Sequence, residues 1–154
     1  CSMRLRRHLK VANGNSYPLI TTDSPLREVT KSRLEMAKWS ATLLFTERSA
    51  VSKRAFRKFA VRKYRCKPQQ VTFDDKGALR RIQGAILSYS DDPYLNGQTS
   101  ETQIEVMHQW STWAELVSVL IHEAMHNWCR VRGKFMHTKN EHWCMGRLGE
   151  PNEA

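Results

Sequence analysis

No stretch of this chain approaches the roughly 20 consecutive apolar residues that a membrane-spanning helix needs, so no membrane partner is expected. The four cysteines, Cys1, Cys66, Cys129 and Cys144, include no C-x-x-C pair, which argues against a cysteine ribbon. A chain of 154 residues has room for a core without covalent staples, so the thiols are read as reduced, in an intracellular protein. There is no internal repeat and no long low-complexity tract. With Cys1 rather than Met in first place, any targeting peptide is out of view. Acidic residues are scarce: 15 Asp+Glu stand against 25 Lys+Arg, a formal charge of +10. The 40% hydrophobic content, with five Trp, is too high for a disordered chain.

The charge is unevenly spread. Residues 1–100 carry 20 basic and 8 acidic side chains, a net of +12, while residues 101–154 carry 5 and 7, a net of −2. Such asymmetry suits a polyanionic partner, and equally a solvated basic face that aids solubility.

Residues 1–24, with Arg4, Arg6, Arg7 and Lys10 among Gly, Asn, Ser and Pro, read as a basic flexible arm or lead-in, and residues 25–154 as a single domain. Ser24-Pro25 reads as a helix start, and that helix is expected to run to about residue 45. A second helix is expected over 50–64, where Lys53, Arg54, Arg57, Lys58, Arg62, Lys63, Arg65 and Lys67 interleave with Phe56, Phe59 and Tyr64. Strands are expected at 70–73, 84–89 and 103–107, separated by turn compositions that include Asp74-Asp75-Lys76-Gly77. Thr112 and Glu115 have the spacing of a capping box and open a helix expected to end near Gly133, followed by a short tail. The fold class expected is therefore α+β: N-terminal helices, a small three-stranded sheet, then the C-terminal helix.

That helix carries His122-Glu123-Ala124-Met125-His126, an HExxH pattern. Histidines four residues apart lie one helical turn above each other and reach one metal ion, and the glutamate between them touches a water on that ion without becoming a ligand. The chemistry implied is that of a zinc peptidase, with Glu123 taking a proton from water and delivering it to the leaving amine. Apolar neighbours would bury the motif, and four of the six histidines fall between 122 and 142. A chance match in a long helix is the competing explanation for so short a pattern. A third ligand is needed. The metzincin spacing fails, because Cys129 and Arg132 stand where glycine and histidine are required. Aspartate is excluded, since none follows Asp92. Glu141, Glu150, His137 and His142 remain.

Residues from about 26 to 149 resemble a SprT-like domain, the metalloprotease module of Spartan-type DNA–protein crosslink proteases. The resemblance rests on the order of elements, on Gly84-Ala85-Ile86-Leu87-Ser88-Tyr89, and on VLIHEAMHNW followed by a histidine and an aromatic. It implies a zincin-like fold and one zinc ion. It also implies that His137, ahead of Trp143 and Arg147-Leu148, joins His122 and His126 as ligand. Thr138 replaces the family's glycine after that histidine, which leaves His142 open.

The activity expected is a zinc endopeptidase acting on a protein substrate. His142 and Tyr89 are guesses for an additional oxyanion donor. The strand at 103–107 can pair with an extended substrate, although its alternation is what an ordinary half-buried strand displays, the reading preferred here. The resemblance favours DNA as the partner of the eight cations between Lys53 and Lys67, recruiting or activating a monomeric protease in the nucleus or nucleoid. Two other classes stay open: an effector or gluzincin-like protease working without DNA, and a catalytically silent zinc-stabilised DNA-binding module.

Overall fold

Thr30, in extended conformation, turns its Oγ1 to accept the Arg33 backbone N–H and so caps a helix, α1, that runs Lys31–Tyr64 without a break. The computed structural model describes residues 27–92, 95–100 and 102–147. The basic arm, the expected helix start at Ser24-Pro25, and Glu150 lie outside them. Where two helices were expected there is one. In the polar stretch between them the Thr46 and Ser49 hydroxyls are turned back onto the carbonyls of Thr42 and Thr46, so they do not draw the backbone out of the helix as a competing cap would.

The elements follow in the order β1 (Arg27–Glu28), α1, β2 (Val71–Phe73), α2 (Asp75–Gln83), β3 (Ile86–Ser88), β4 (Gly97–Thr99), β5 (Ile104–Met107), β6 (Trp110–Ser111), α3 (Trp113–Met125), β7 (Cys129–Val131), β8 (Lys134–Phe135) and α4 (Thr138–Arg147). The fold is α+β, with two three-stranded sheets ordered β3-β5-β4 and β2-β7-β8 and a two-stranded pair β1-β6. β3 runs parallel to β5 and β4 antiparallel to it. Among the described residues no helix is long and apolar enough to cross a membrane.

Three departures from the sequence reading have clear causes. Asp74, read as a turn, is the N-cap of α2, its carboxylate accepting the Gly77 N–H at 3.0 Å. Gly133, read as the stop of the HExxH helix, instead forms with Arg132 the two-residue turn of the β7–β8 hairpin, both at positive φ (79° and 51°). The expected tail is α4, whose Glu141, Cys144 and Met145 face inward at helical spacing.

The core is organised on Trp128, fully buried, with the rings of Phe45, Phe56 and Phe73 at 5.3, 5.5 and 4.6 Å. Its indole N–H donates to Asp75 Oδ1 at 2.8 Å, and Lys53 donates to the other carboxylate oxygen. One residue thus gathers α1, α2 and the chain leaving α3. The three described cysteines, Cys66, Cys129 and Cys144, are buried and free, and burial pushes the Cys129 thiol up to about 12. Replacing Trp128 by Ala is expected to cost about 3–5 kcal/mol, read as a lowered denaturation midpoint with the four remaining tryptophans reporting the transition.

Candidate metal centre

The HExxH motif lies in the last turn of α3. This helix opens with the expected capping box: Glu115 N–H donates to Thr112 Oγ1 at 3.2 Å, and Thr112 N–H to Glu115 Oε2 at 2.8 Å. Burial raises the Glu115 carboxyl above its ordinary range, against those two bonds. Every residue from Trp113 to Met125 is buried, so α3 is the central helix of the fold, covered on all sides. It stops sooner than the sequence suggested. His126 is already extended (φ −67°, ψ 139°), and Asn127 takes the left-handed region (φ 62°), which asparagine tolerates.

His122, His126 and His142 converge. Their ring centroids are 5.0, 5.4 and 4.6 Å apart, and Nε2 of His126 is 2.9 Å from Nε2 of His142. Among the described residues, these three form the group of possible ligands whose atoms lie within 4.8 Å of one another. An ion bound tetrahedrally at about 2.0–2.1 Å would separate its nitrogens by about 3.3 Å, inside that range. The donor set fits a metal ion for a second reason. Glu141, also buried, accepts at Oε2 from His126 Nδ1 (3.0 Å) and at Oε1 from the Asn127 N–H (3.2 Å). A carboxylate on Nδ1 holds the proton there and leaves the Nε2 lone pair facing His142. Burial pushes the Glu141 carboxyl up to about 7, against the pull of the Asn127 N–H and of His142.

His137, expected as the third ligand, is not in this group. It is exposed and closes the first turn of α4: its Nδ1 accepts the Lys139 N–H at 3.3 Å, and its carbonyl accepts the N–H groups of Asn140 and Glu141. The alternate, His142, five residues further along the chain, is the residue that faces the HExxH pair. Glu141, another alternate, sits behind His126 instead of beside the ligand atoms. Tyr89 has its ring on His108, 4.8 Å away, and stands 73% exposed.

Glu123 is fully buried next to His122. The backbone of β4 lies directly on this turn: a Cβ on Gly97 would come within 2.5 Å of Val119 Cγ1 and 3.4 Å of Glu123 Cγ, so only glycine allows the approach. β5, the strand considered for substrate pairing, is the middle of its sheet, and its backbone is taken on both sides. The strand at the edge beside Glu123 is β4. Sequence reasoning missed it because Gly-Gln-Thr carries no strand pattern.

Of the eight cations between Lys53 and Lys67, Lys53 is engaged with Asp75, and Arg57 lies 5.3 Å over the Phe73 ring with its guanidinium on the Val71 carbonyl. Arg54, Lys58, Arg62, Lys63, Arg65 and Lys67 are exposed. Phe56 is core, Phe59 stacks on Trp143 at 4.5 Å, and the Tyr64 hydroxyl accepts from Asn140 Nδ2. The aromatics of α1 thus hold α4, the carrier of His142, in place.

Compared with models of known families, with curated proteins and with solved structures, the chain matches none. In the purified protein, bound metal per chain is expected to fall well below one in His142→Ala and to stay at the wild-type value in His137→Ala, measured by plasma emission spectroscopy after dialysis. The reverse pattern would return the ligand role to His137.

Proposed function

We propose that this chain is a zinc endopeptidase of the zincin-like, SprT-like kind, brought to its substrate by nucleic acid. The observation that carries the reading is the convergence of His142 on the HExxH pair with Glu123 buried one residue away. Three neutral imidazoles are a donor set suited to zinc, with a fourth position left for water or substrate. Zinc held there supplies Lewis acidity toward a carbonyl oxygen and lowers the pKa of water to about 7. Glu123 takes the proton from the attacking water and hands it to the leaving amine. Glu141 keeps the His126 ring in the tautomer that points Nε2 inward. β4, an edge strand among the described residues, lies over the Glu123 turn and supports main-chain pairing with an extended peptide, which gives affinity with little sequence selectivity.

For the nucleic acid, the supporting observation is an exposed stripe. Arg54, Lys58 and Arg62 recur at steps of four along one face of α1, and Arg65 follows just past its end, a line about 16 Å long. Phosphates follow such a line by charge alone.

A second reading, the silent zinc-stabilised module, draws support from the depth of the site, where His122 and Glu123 are almost wholly out of solvent. One variant separates the two. Glu123→Gln is expected to lower cleavage of a DNA-bound protein substrate by about 10²–10⁴-fold while keeping its zinc; equal activity of variant and wild type would remove the peptidase. Binding of single-stranded DNA is expected to weaken with salt at a log–log slope of about −3 for the four-cation stripe. A flat response, or an unchanged slope after Arg54 and Arg62 are both changed to Gln, would remove nucleic acid from the account.

A further inference from the structure

An α-helix leaves its last carbonyls without helical partners, and α3 ends in the middle of the metal centre. Arg81, on α2 and only 4% exposed, reaches that end. Its Nη2 donates to the carbonyl of Ala124 at 3.0 Å and to that of His126 at 3.1 Å, one N–H to each. Both bonds leave one terminal nitrogen, whose two hydrogens diverge in the guanidinium plane toward the two carbonyls. The position is also favourable for a cation, since the C-terminal end of a helix carries partial negative charge.

The contacts on the far side are complementary. Glu141 takes the His126 ring and the Asn127 N–H, while Arg81 takes the His126 carbonyl and the Ala124 carbonyl before it. His126 is therefore held by its backbone from α2 and by its imidazole from α4. Burial lowers the Arg81 pKa, opposed by the nearby charges of Asp74 and Glu141. Burying a cation is costly, and the two carbonyls offset part of that cost.

We propose that Arg81 is the positioning residue of the metal centre: by binding the carbonyls of Ala124 and His126 it ends α3 at the ligand and aims the His126 imidazole at His122 and His142. The proposal rests on the reading of these three histidines as a zinc site. Arg81 touches neither ion nor substrate, and acts through the backbone direction at His126. Loss of the two bonds frees the reversal at Asn127 and lets the ring swing away from the other two histidines. Nothing in the sequence marks this residue, which reads as one more cation of a basic chain.

The test is zinc affinity by chelator competition, together with the visible d–d absorption of the cobalt(II)-loaded protein, on the full chain. Arg81→Met is expected to weaken zinc binding by about 10–100-fold and to alter the cobalt spectrum. Arg81→Lys, which keeps a cation and donors, should recover part of both. Ile82→Val, a cavity-forming change at the next and fully buried position of α2, serves as the control for mere loss of stability and should bind zinc as wild type does. Wild-type affinity and spectrum in Arg81→Met, or the same loss in Ile82→Val, would overturn the proposal. If Arg81→Met does not fold, Arg81→Lys against Ile82→Val decides: weaker zinc binding in the lysine variant supports it, and equal binding overturns it. Failure of the wild type itself to hold zinc would instead overturn the zinc site, whatever position 81 does.

Discussion

The abrupt ending of α3 is the constraint on which this structure turns. A helix that continued past His126 would carry the chain away along its axis. The extended backbone at His126 and the left-handed Asn127 reverse it at that histidine, so that Trp128 can drop into the aromatic core and β7 can pair with β2. A reversal in the interior exposes main-chain donors and acceptors that water cannot reach. Here they are met by two side chains of opposite charge from two other elements, Arg81 on the carbonyls and Glu141 on the Asn127 N–H. Together they bring α2, α3 and α4 to one place, and the three histidines are a by-product of that meeting.

The rest of the fold serves as support for this junction. α1, about 51 Å long, spans 34 residues and uses its two faces for different ends. Its inward face contributes Phe45 and Phe56 to the cage around Trp128. Near its C-terminal end Phe59 and Tyr64 grip Trp143 and Asn140, fixing α4 and with it His142. The outward face is left to cations. Lys53 and Arg57 are drawn back to Asp75 and Phe73, whereas Arg54, Lys58, Arg62 and Arg65 are exposed among the described residues. The sheet β3-β5-β4 is set against α3 so that its edge strand, thinned to a glycine at 97, rests on the turn bearing Glu123.

Features written in local spacing were legible before the structure. The capping box at Thr112, the helical HExxH pair and the strands at 71–73, 86–88 and 104–107 all depend on residues within a few positions of each other. Punctuation was read less well. Asp-Asp-Lys-Gly serves a turn or a helix N-terminus equally, and the choice fell to the apolar face that Ala78 and Ile82 present to the core. Gly133 marks a left-handed position whether it closes a helix or turns a hairpin, and pairing with β2 decided for the hairpin.

By itself the sequence determined that two imidazoles would stand one turn apart on a buried helix, because a period of 3.6 residues is a local property of the chain. It also determined the basic character of α1. Which residue completes the trio was decided only in three dimensions. His137 and His142 are equally available in composition. The turn of α4 spends the first on a helix cap and, with Glu141 drawn behind His126 and Trp143 stacked on Phe59, directs the second at the pair. Contacts between residues 15 or more positions apart set that orientation, and no local pattern carries such information.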